Sequence, residues 1–280
     1  MRALSAVAGG QSGRVAPVGR GTMPGAGRSD NSPAVPAEGV CASRACWPTI
    51  GRVKLVLLDL DGTLLLTAGA GRRAMQRAGV LVCGAGFTLD GTVIAGGLDP
   101  LIYAEAAGRA GVKDIQALHE TFRATYVREL QQELAANLDQ IEVMPGIRSV
   151  IERLRCHSDV TLGLLTGNYS TAAPLKLRAA GLAPEWFVVN AFGDEAPDRP
   201  ALVALARQRF HARYGRQVPT RDVIVVGDTP RDVHCAKVNG CLSFGVATGR
   251  YSVRDLQEAG ADVVVQDLSD PQPLWNMIDG

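Results

Sequence analysis

The chain of 280 residues is long enough to bury a core, and it carries 29 Lys and Arg residues against 28 Asp and Glu residues. This balance argues against a basic surface for nucleic acid, and no apolar run reaches the roughly 18 residues that a membrane helix requires. We therefore expect a soluble protein without nucleic acid or a membrane as partner, and six scattered cysteines without a CxxC pair indicate reduced thiols and a cytoplasmic location.

The first 50 residues differ in composition from the rest of the chain. They are rich in Gly, Ala, Pro and Ser and show neither helical nor strand periodicity, which predicts a disordered N-terminal extension over residues 1–50. Five arginines against Asp30 and Glu38 leave two other interpretations open, which are a targeting segment and a true start at Met23 or later.

From Val53 onward, apolar runs typical of β-strands alternate with helical patterns. Because the runs are apolar at successive positions, they predict strands that are buried on both faces, and hence a parallel sheet with helices above and below. The predicted fold class is therefore α/β with a Rossmann-like core. The runs are VKLVLL, VTLGLL, WFVV, VIVV and ADVVV, with a weaker strand, CLSFGVA, between the last two.

The first two runs lie much farther apart than later neighbours do. Between them, residues 114–138 carry apolar side chains at steps of three or four, as in a long amphipathic helix. Two shorter helical patterns precede it, near residues 71–78 and 101–110. We therefore predict that residues 67–143 form a small helical domain inserted into an α/β core made of residues 51–66 and 144–280.

Two aspartates follow the first apolar run. Asp59 and Asp61 are thus placed at the carboxyl end of a strand, where open α/β sheets bind their ligands. Residues two apart face the same side of an extended chain, so the carboxylates repel each other unless a cation or strong donors offset the repulsion. A hard divalent metal is the simplest remedy. The alternative is an ordinary turn at Gly62 with two solvated acids.

A second acidic cluster follows the run VIVV. Asp228 lies just beyond that run, and Asp232 lies four residues later at the opening of a helix whose first turn holds Pro230. If the two strands are neighbours, four carboxylates converge, namely those of Asp59, Asp61, Asp228 and Asp232. Such a set of oxygen ligands fits Mg²⁺ better than zinc.

Two further segments are suited to binding an anion. In LLTGNYS, Thr166, Gly167 and Asn168 lead into a helix predicted to begin near Ser170, and a hydroxyl with free N–H groups at a helix start makes an anion site. A plain helix cap is the alternative. In GDEAPDRPALVALA, Arg199 stands at another predicted helix start, where its guanidinium can bridge a phosphate and a carboxylate.

In this order, the motifs DLDGTLL, LLTGN, DRP and GDTPRD resemble those of the haloacid dehalogenase-like hydrolase superfamily, in its phosphoglycolate-phosphatase-like branch with an α-helical cap. The resemblance implies that Asp59 is the nucleophile, Asp61 the general acid and base, and Thr166 a phosphoryl-binding residue. It also implies that Mg²⁺ is held by Asp228, the Asp59 carboxylate and the Asp61 main-chain carbonyl, with Asp232 supporting the metal or its waters.

The chain departs from the family pattern at one catalytic position, because the family usually has lysine where Arg199 stands. Arginine keeps the charge but not the reach or the point-like geometry of lysine. Lys176 is a substitute for that role, although we expect it to point outward from the helix after LLTGN.

The same resemblance implies that residues 67–143 form a cap that closes over the site and contacts the part of the substrate beyond the phosphate. Arg72, Arg73 and Asp99 are candidates for this contact because their segments flank the hinge and the entrance. A solvated surface charge is the alternative for each of them.

The expected function is that of a Mg²⁺-dependent phosphatase. Its substrate would be a small phosphate ester, phosphoglycolate-like or a sugar phosphate, and its intermediate an aspartyl-phosphate. Two alternatives remain, a phosphomutase of the same superfamily and a noncatalytic phosphate-binding module. Product analysis with a sugar phosphate separates the first two, and binding without phosphate release would favour the third.

Overall fold

The computed structural model of the protein describes residues 53–280, so the extension predicted over residues 1–50 lies outside the described residues. The strands are Lys54–Leu58 (β1), Leu65–Leu66 (β2), Glu142–Val143 (β3), Val160–Thr166 (β4), Val189–Phe192 (β5), Val223–Gly227 (β6), Leu242–Val246 (β7) and Val263–Val265 (β8). The helices are Ala70–Cys83 (α1), Asp99–Arg109 (α2), Ile115–Ala136 (α3), Ile147–Cys156 (α4), Ala173–Ala179 (α5), Arg199–Tyr214 (α6), Pro230–Val238 (α7), Val253–Glu258 (α8) and Gln272–Asp279 (α9). Within residues 53–280, no helix is both long and apolar enough to cross a membrane.

Six of the strands form one parallel sheet in the order β5-β4-β1-β6-β7-β8, which confirms the predicted α/β fold class. In this sheet β1 lies between β4 and β6, and Leu58 at its end pairs with Leu164 and with Val226. The carboxyl ends of the three strands therefore meet at one edge of the sheet. The residues at or just beyond these ends are Asp59, Thr166 and Asp228.

Apolar side chains cover both faces of β1, and all of its residues are buried. Val56 and Leu58 belong to a cluster built on α4 and α9, whereas Leu55 and Leu57 belong to a cluster built on α6 and α7. Each fully buried leucine stabilises the fold by about 1.5–3 kcal/mol. The strand is thus fixed from both sides, which gives the aspartates that follow it a rigid support.

Along the chain, the helices α1, α2 and α3 come between β2 and β3. These two strands form a separate antiparallel ribbon, in which Leu65 pairs with Val143. Aromatic rings fill the space among these helices, and Tyr103 stacks on Phe122 with ring centroids 4.0 Å apart. The long helix predicted over residues 114–138 is confirmed as α3. The chain leaves and re-enters the α/β part through one narrow ribbon, while the exact domain limits stay a prediction.

One predicted strand begins later than expected. The run WFVV was assigned to a strand, but Pro184–Trp186 form a single 3₁₀ turn and the strand β5 starts at Val189. Phe187 is buried in the core between the two. The apolar run therefore reflects burial, and not an extended backbone.

Candidate active site

Asp59 and Asp61 both lie at the end of β1, but their surroundings differ. The Asp59 side chain is buried, and its backbone N–H donates to the carbonyl of Val226 at 2.9 Å. The Asp61 side chain lines a cavity and is 43% exposed. Gly62, which directly follows Asp61, turns the chain with a φ of 87°, in the left-handed region that favours glycine. The two aspartates share a location but differ in their access to water.

Three of the four carboxylates predicted to converge meet at this edge of the sheet, whereas the side chain of Asp61 is not part of this group. Asp59, Asp228 and Asp232 each place a carboxylate oxygen within 4.8 Å of the others. Burial raises the pKa of Asp59 to about 6, against the opposing effect of Arg199. Burial, assisted by Asp232 and Asp59, raises the pKa of Asp228 to about 8. Because like charges this close disfavour ionisation, the cluster has the composition of a site for a hard divalent cation.

The Asp228 carboxylate is confined between two loops. Thr63 Oγ1 donates a hydrogen bond to its Oδ1 at 3.2 Å. A Cβ atom added to Gly62 or to Gly249 would overlap its Oδ2. Both loops therefore require glycine where they pass the carboxylate. Gly249 was not among the predicted residues, because its loop carries none of the motifs that identified the others.

Arg199 is the buried cation of this cluster. Its Nη2 lies 3.0 Å from Asp59 Oδ2, and its Nε donates to Asp232 Oδ1 at 3.0 Å. The side chain is placed by the start of α6, where Asp198 caps the helix by accepting from the N–H of Ala201 at 2.8 Å. The guanidinium thus contacts the carboxylate of Asp59, as predicted for it, and also a second carboxylate that the sequence did not connect to it.

Protein donors occupy both oxygens of Asp232. Its Oδ1 accepts from Arg199, while its Oδ2 accepts from Thr229 Oγ1 at 2.7 Å and from Thr229 N at 3.1 Å. Thr229 and Asp232 form a capping box at the start of α7. Asp232 therefore orients Arg199 and begins a helix, which leaves Asp59 and Asp228 with more capacity to ligate a metal.

The predicted phosphate-binding residues lie in a tight loop at the end of β4. Thr166 and Asn168 are buried, and Asn168 Nδ2 donates to Thr166 Oγ1 at 2.8 Å. A Cβ atom on Gly167 would overlap the carbonyl oxygen of Gly97. Glycine at position 167 is therefore required for the loop to pack against the segment before α2.

The helix predicted to begin near Ser170 begins instead at Ala173. Carboxylates from distant segments bind the N–H groups of the intervening turn. Asp99 accepts from the N–H of Tyr169 at 3.0 Å, and Asp194 accepts from the N–H of Ser170 at 2.8 Å. Part of the predicted anion-binding capacity is thus used by the protein's own acids.

Lys176 was expected to point outward, and that prediction is wrong. The residue is 4% exposed, and its Nζ lies 2.6 Å from Asp61 Oδ2. The helical phase carried the signal, since Ala173 and Leu177 place position 176 on the buried face of α5. A lysine on such a face requires an acidic partner. That partner is 115 positions away in the sequence.

The three cap candidates have different environments. Asp99 is buried, and burial raises its pKa to about 7. Arg72 lines the cavity and pairs with Asp90 at 2.7 Å, whereas Arg73 pairs with Glu133 at 2.6 Å and so ties α1 to α3. Arg72 and Asp99 therefore stay candidates for substrate contact, and the position of Arg73 argues for a structural role.

A cavity of about 670 Å³ joins these groups. Asp59, Asp61 and Thr166 lie on its sheet side, while Met75 and Tyr126 belong to its wall of inserted helices. The volume lies in the range of small-molecule sites, roughly 300–1,000 Å³. The cavity can therefore enclose a small ligand against the aspartates.

Known proteins resemble this chain in sequence and in fold. A family model described as haloacid dehalogenase-like hydrolase matches residues 53–240. A phosphoglycolate phosphatase from Vibrio parahaemolyticus is 30% identical over 228 residues, covering 78% of this chain and 94% of that protein. A phosphoglycolate phosphatase from Nitrosospira multiformis is 26% identical over 227 residues, covering 79% and 95%.

Solved structures show the same fold. The structure of CbbY from Rhodobacter sphaeroides in complex with phosphate matches with a TM-score of 0.58 at 20% identity, covering 78% of this chain and 96% of that one. A hydrolase from Pseudomonas syringae matches with a TM-score of 0.57 at 19% identity, covering 81% and 99%. The chain therefore belongs to the haloacid dehalogenase-like hydrolases, in the phosphoglycolate-phosphatase-like branch, and is a phosphatase.

Proposed function

We propose that the protein is a Mg²⁺-dependent phosphatase that hydrolyses a small phosphorylated metabolite through an aspartyl-phosphate on Asp59. The observation that carries the proposal is the buried Asp59 carboxylate, which lines the cavity with Arg199 at 3.0 Å and with Asp228 and Asp232 beside it. The relatives named phosphoglycolate phosphatase support a phosphoglycolate-like substrate, and a sugar phosphate is the second candidate. The scattered cysteines support a cytoplasmic location.

Asp59 and Asp61 divide the chemistry. An Asp59 oxygen attacks phosphorus, the bond from phosphorus to the ester oxygen breaks with its electron pair on that oxygen, and Asp61 supplies the proton that the leaving oxygen takes. Asp61 then removes a proton from a water molecule, whose oxygen attacks phosphorus and displaces the Asp59 carboxylate to release phosphate. The exposure of Asp61 and the burial of Asp59 support these roles, since only the acid and base must exchange protons with solvent.

The loop after β4 supplies donors for the phosphoryl group. Thr166 places a buried hydroxyl group at the end of β4. Together with Gly167 and Asn168 it lines the cavity that holds the aspartates. Arg199 supplies a cation at 3.0 Å from the carboxylate of Asp59. A cation and fixed donors around the reacting oxygens stabilise the charge that develops there, and this is the main way in which proteins promote phosphoryl transfer.

The acidic cluster fits Mg²⁺ by its charge and its donor atoms. Three buried carboxylates face one guanidinium, and burial raises the pKa values of Asp59 and Asp228, so a divalent cation would favour their ionised forms. Asp59 and Asp228 would hold the ion with the Asp61 main-chain carbonyl, while Asp232 supports Arg199. When bound, the ion neutralises charge on the phosphoryl oxygens. Oxygen ligands of this kind are those that Mg²⁺ prefers.

The inserted helices select the substrate in this proposal. With the segment between α1 and α2 they supply part of the cavity lining, which includes Ile94, Ile102, Tyr126 and the charged Arg72. This mixture suits a substrate whose part beyond the phosphate is small. Closure of such a wall excludes bulk water from the site while Asp59 attacks phosphorus.

Asp59→Asn tests the nucleophile. The variant should fold as the wild type does and lose phosphate release from p-nitrophenyl phosphate, because an amide oxygen is too weak a nucleophile to attack phosphorus. Asp139→Asn, at an exposed position of the inserted segment, is the matched control and should keep full activity. Full activity of Asp59→Asn would refute the proposal.

Removal of the metal and a panel of esters test the rest. EDTA should inactivate the protein and Mg²⁺ should restore it. Phosphoglycolate, sugar phosphates, nucleotides and pyrophosphate should then be ranked by kcat/KM, with the products analysed. Release of phosphate from a sugar phosphate supports the phosphatase, whereas conversion into an isomer supports the phosphomutase.

A further inference from the structure

Lys176 is a buried cation that the reaction described above does not use. It lies on α5, in the α/β part of the chain, and only 4% of the residue is exposed. Its Nζ donates to Asp61 Oδ2 at 2.6 Å and to Asn168 Oδ1 at 2.6 Å. The ammonium group is therefore committed to two specific oxygens, one of which belongs to the acid and base.

Asn168 binds the same carboxylate oxygen. Its Nδ2 lies 2.7 Å from Asp61 Oδ2, and it also donates to Thr166 Oγ1 at 2.8 Å. Two donors thus converge on Oδ2, while Oδ1 of Asp61 receives no hydrogen bond from residues 53–280. A side chain that is 43% exposed would otherwise rotate. The two contacts fix it with one oxygen held and the other available.

We propose that Lys176 is a positioning residue that holds the Asp61 carboxylate so that its Oδ1 exchanges the proton in both half-reactions. The inference rests on the proposed phosphatase function. In the second half-reaction, a proton passes from water to Oδ1, the water oxygen forms a bond to phosphorus, and the bond from phosphorus to Asp59 breaks with its electron pair on the carboxylate. Lys176 contributes no proton and no bond to this step.

Activated substrates separate this role from the alternatives. With p-nitrophenyl phosphate, the leaving oxygen departs without a proton, so the attack by Asp59 does not depend on Asp61, whereas the attack by water still does. In Lys176→Met, we expect kcat and KM for this ester to fall together by about 100-fold, with kcat/KM changed by less than about threefold. A burst of p-nitrophenolate equal to the enzyme concentration should appear, because aspartyl-phosphate accumulates.

Unactivated esters should respond differently. With an alkyl phosphate such as phosphoglycolate, the leaving oxygen needs a proton from Asp61 in the first half-reaction. For this substrate Lys176→Met should therefore lower kcat/KM itself, by about 100-fold. Lys176→Gln keeps an N–H donor on a side chain of similar length and should retain more activity than Lys176→Met. Thermal unfolding of both variants establishes that they fold.

A double-mutant cycle tests whether Lys176 acts through Asp61. In an Asp61→Asn background, Lys176→Met should change the rate of phosphate release from the aspartyl-phosphate by less than about twofold, against about 100-fold in the wild-type background, since the two substitutions remove one function. Arg178→Met is the matched control on the same helix, because its side chain is 59% exposed and pairs with Glu185 at the surface. It should behave as the wild type.

Two outcomes would overturn the inference. One is an equal loss of kcat/KM on activated and unactivated esters, which indicates that Lys176 binds substrate or only supports the fold. The other is an additive loss in the double-mutant cycle. Absence of phosphatase activity in the wild type would instead refute the proposed function, so the two failures are distinguishable.

Discussion

Replacement of Asp228 by asparagine should stabilise the metal-free protein and abolish its activity. The carboxylate is 4% exposed and lies beside Asp59 and Asp232. Burial raises its pKa to about 8, from an ordinary value of 3.8. Because the folded protein binds this proton more tightly than the unfolded chain does, stability is greatest below the unfolded pKa and is lost as the pH rises toward 8. Asparagine has no proton to lose, and its amide oxygen can still accept from Thr63.

The magnitude follows from the width of this pH window. Where a carboxyl group stays protonated only in the folded state, each unit of rising pH lowers the free energy of unfolding by about 1.4 kcal/mol. Between about pH 4 and about pH 7 the loss is about 4 kcal/mol. We therefore expect Asp228→Asn to exceed the wild type by about 4 kcal/mol at about pH 7 in EDTA, and by almost nothing near about pH 4.

Urea unfolding over this pH range, first in EDTA and then in Mg²⁺, measures both parts of the prediction. Mg²⁺ should stabilise the wild type by mass action and leave the variant unchanged, because the variant lacks a ligand. Asp139→Asn, which alters an exposed aspartate, is the control and should follow the wild type in every condition. A variant that is less stable than the wild type in EDTA at neutral pH, or one that Mg²⁺ stabilises equally, would refute the reasoning.

Three further predictions concern groups around this carboxylate. Arg199→Met should lower the free energy of unfolding by about 3–5 kcal/mol and abolish phosphate release, since it leaves buried Asp232 without its cation; an unchanged urea midpoint would contradict this. Gly249→Ala, whose Cβ would overlap the Asp228 carboxylate, should weaken activation by Mg²⁺ about 10- to 100-fold in a metal titration, and an unshifted titration would count against the packing argument. Asp99→Asn should raise Tm more at about pH 8 than at about pH 5. Burial raises the folded pKa of Asp99 to about 7, so the stability of the wild type falls as the pH rises toward that value. An equal Tm shift at both pH values would be inconsistent with a buried charge.

The acidic residues at the strand ends could be predicted because local sequence determines their placement. A run such as VKLVLL is apolar at successive positions, so it must be covered on both faces, and a parallel sheet brings its end beside the end of VIVV. Asp59 and Asp228 follow those runs directly. Their approach within the group of buried carboxylates therefore needed only the strand order as additional information.

Contacts between distant segments account for what the sequence did not reveal. The helix after LLTGN starts at Ala173 because Asp99 and Asp194, from other parts of the chain, bind the N–H groups of the preceding turn. Gly249 limits the space around Asp228 from a loop that carries no motif. Neither relation leaves a periodic pattern in the local sequence, so neither is accessible to reasoning from propensity and spacing.

The two buried cations bind different carboxylates, and this explains why arginine is suited to position 199, where the family usually has lysine. Arg199 must contact Asp59 and Asp232 at once, and a planar guanidinium with several donors spans two carboxylates better than a single ammonium does. Lys176 must reach a single oxygen of Asp61 while also donating to Asn168, which suits a compact group with three donors. If each cation is matched to its carboxylates in this way, the lysine that the family pattern places at position 199 would still hold Asp59 here but would loosen Asp232.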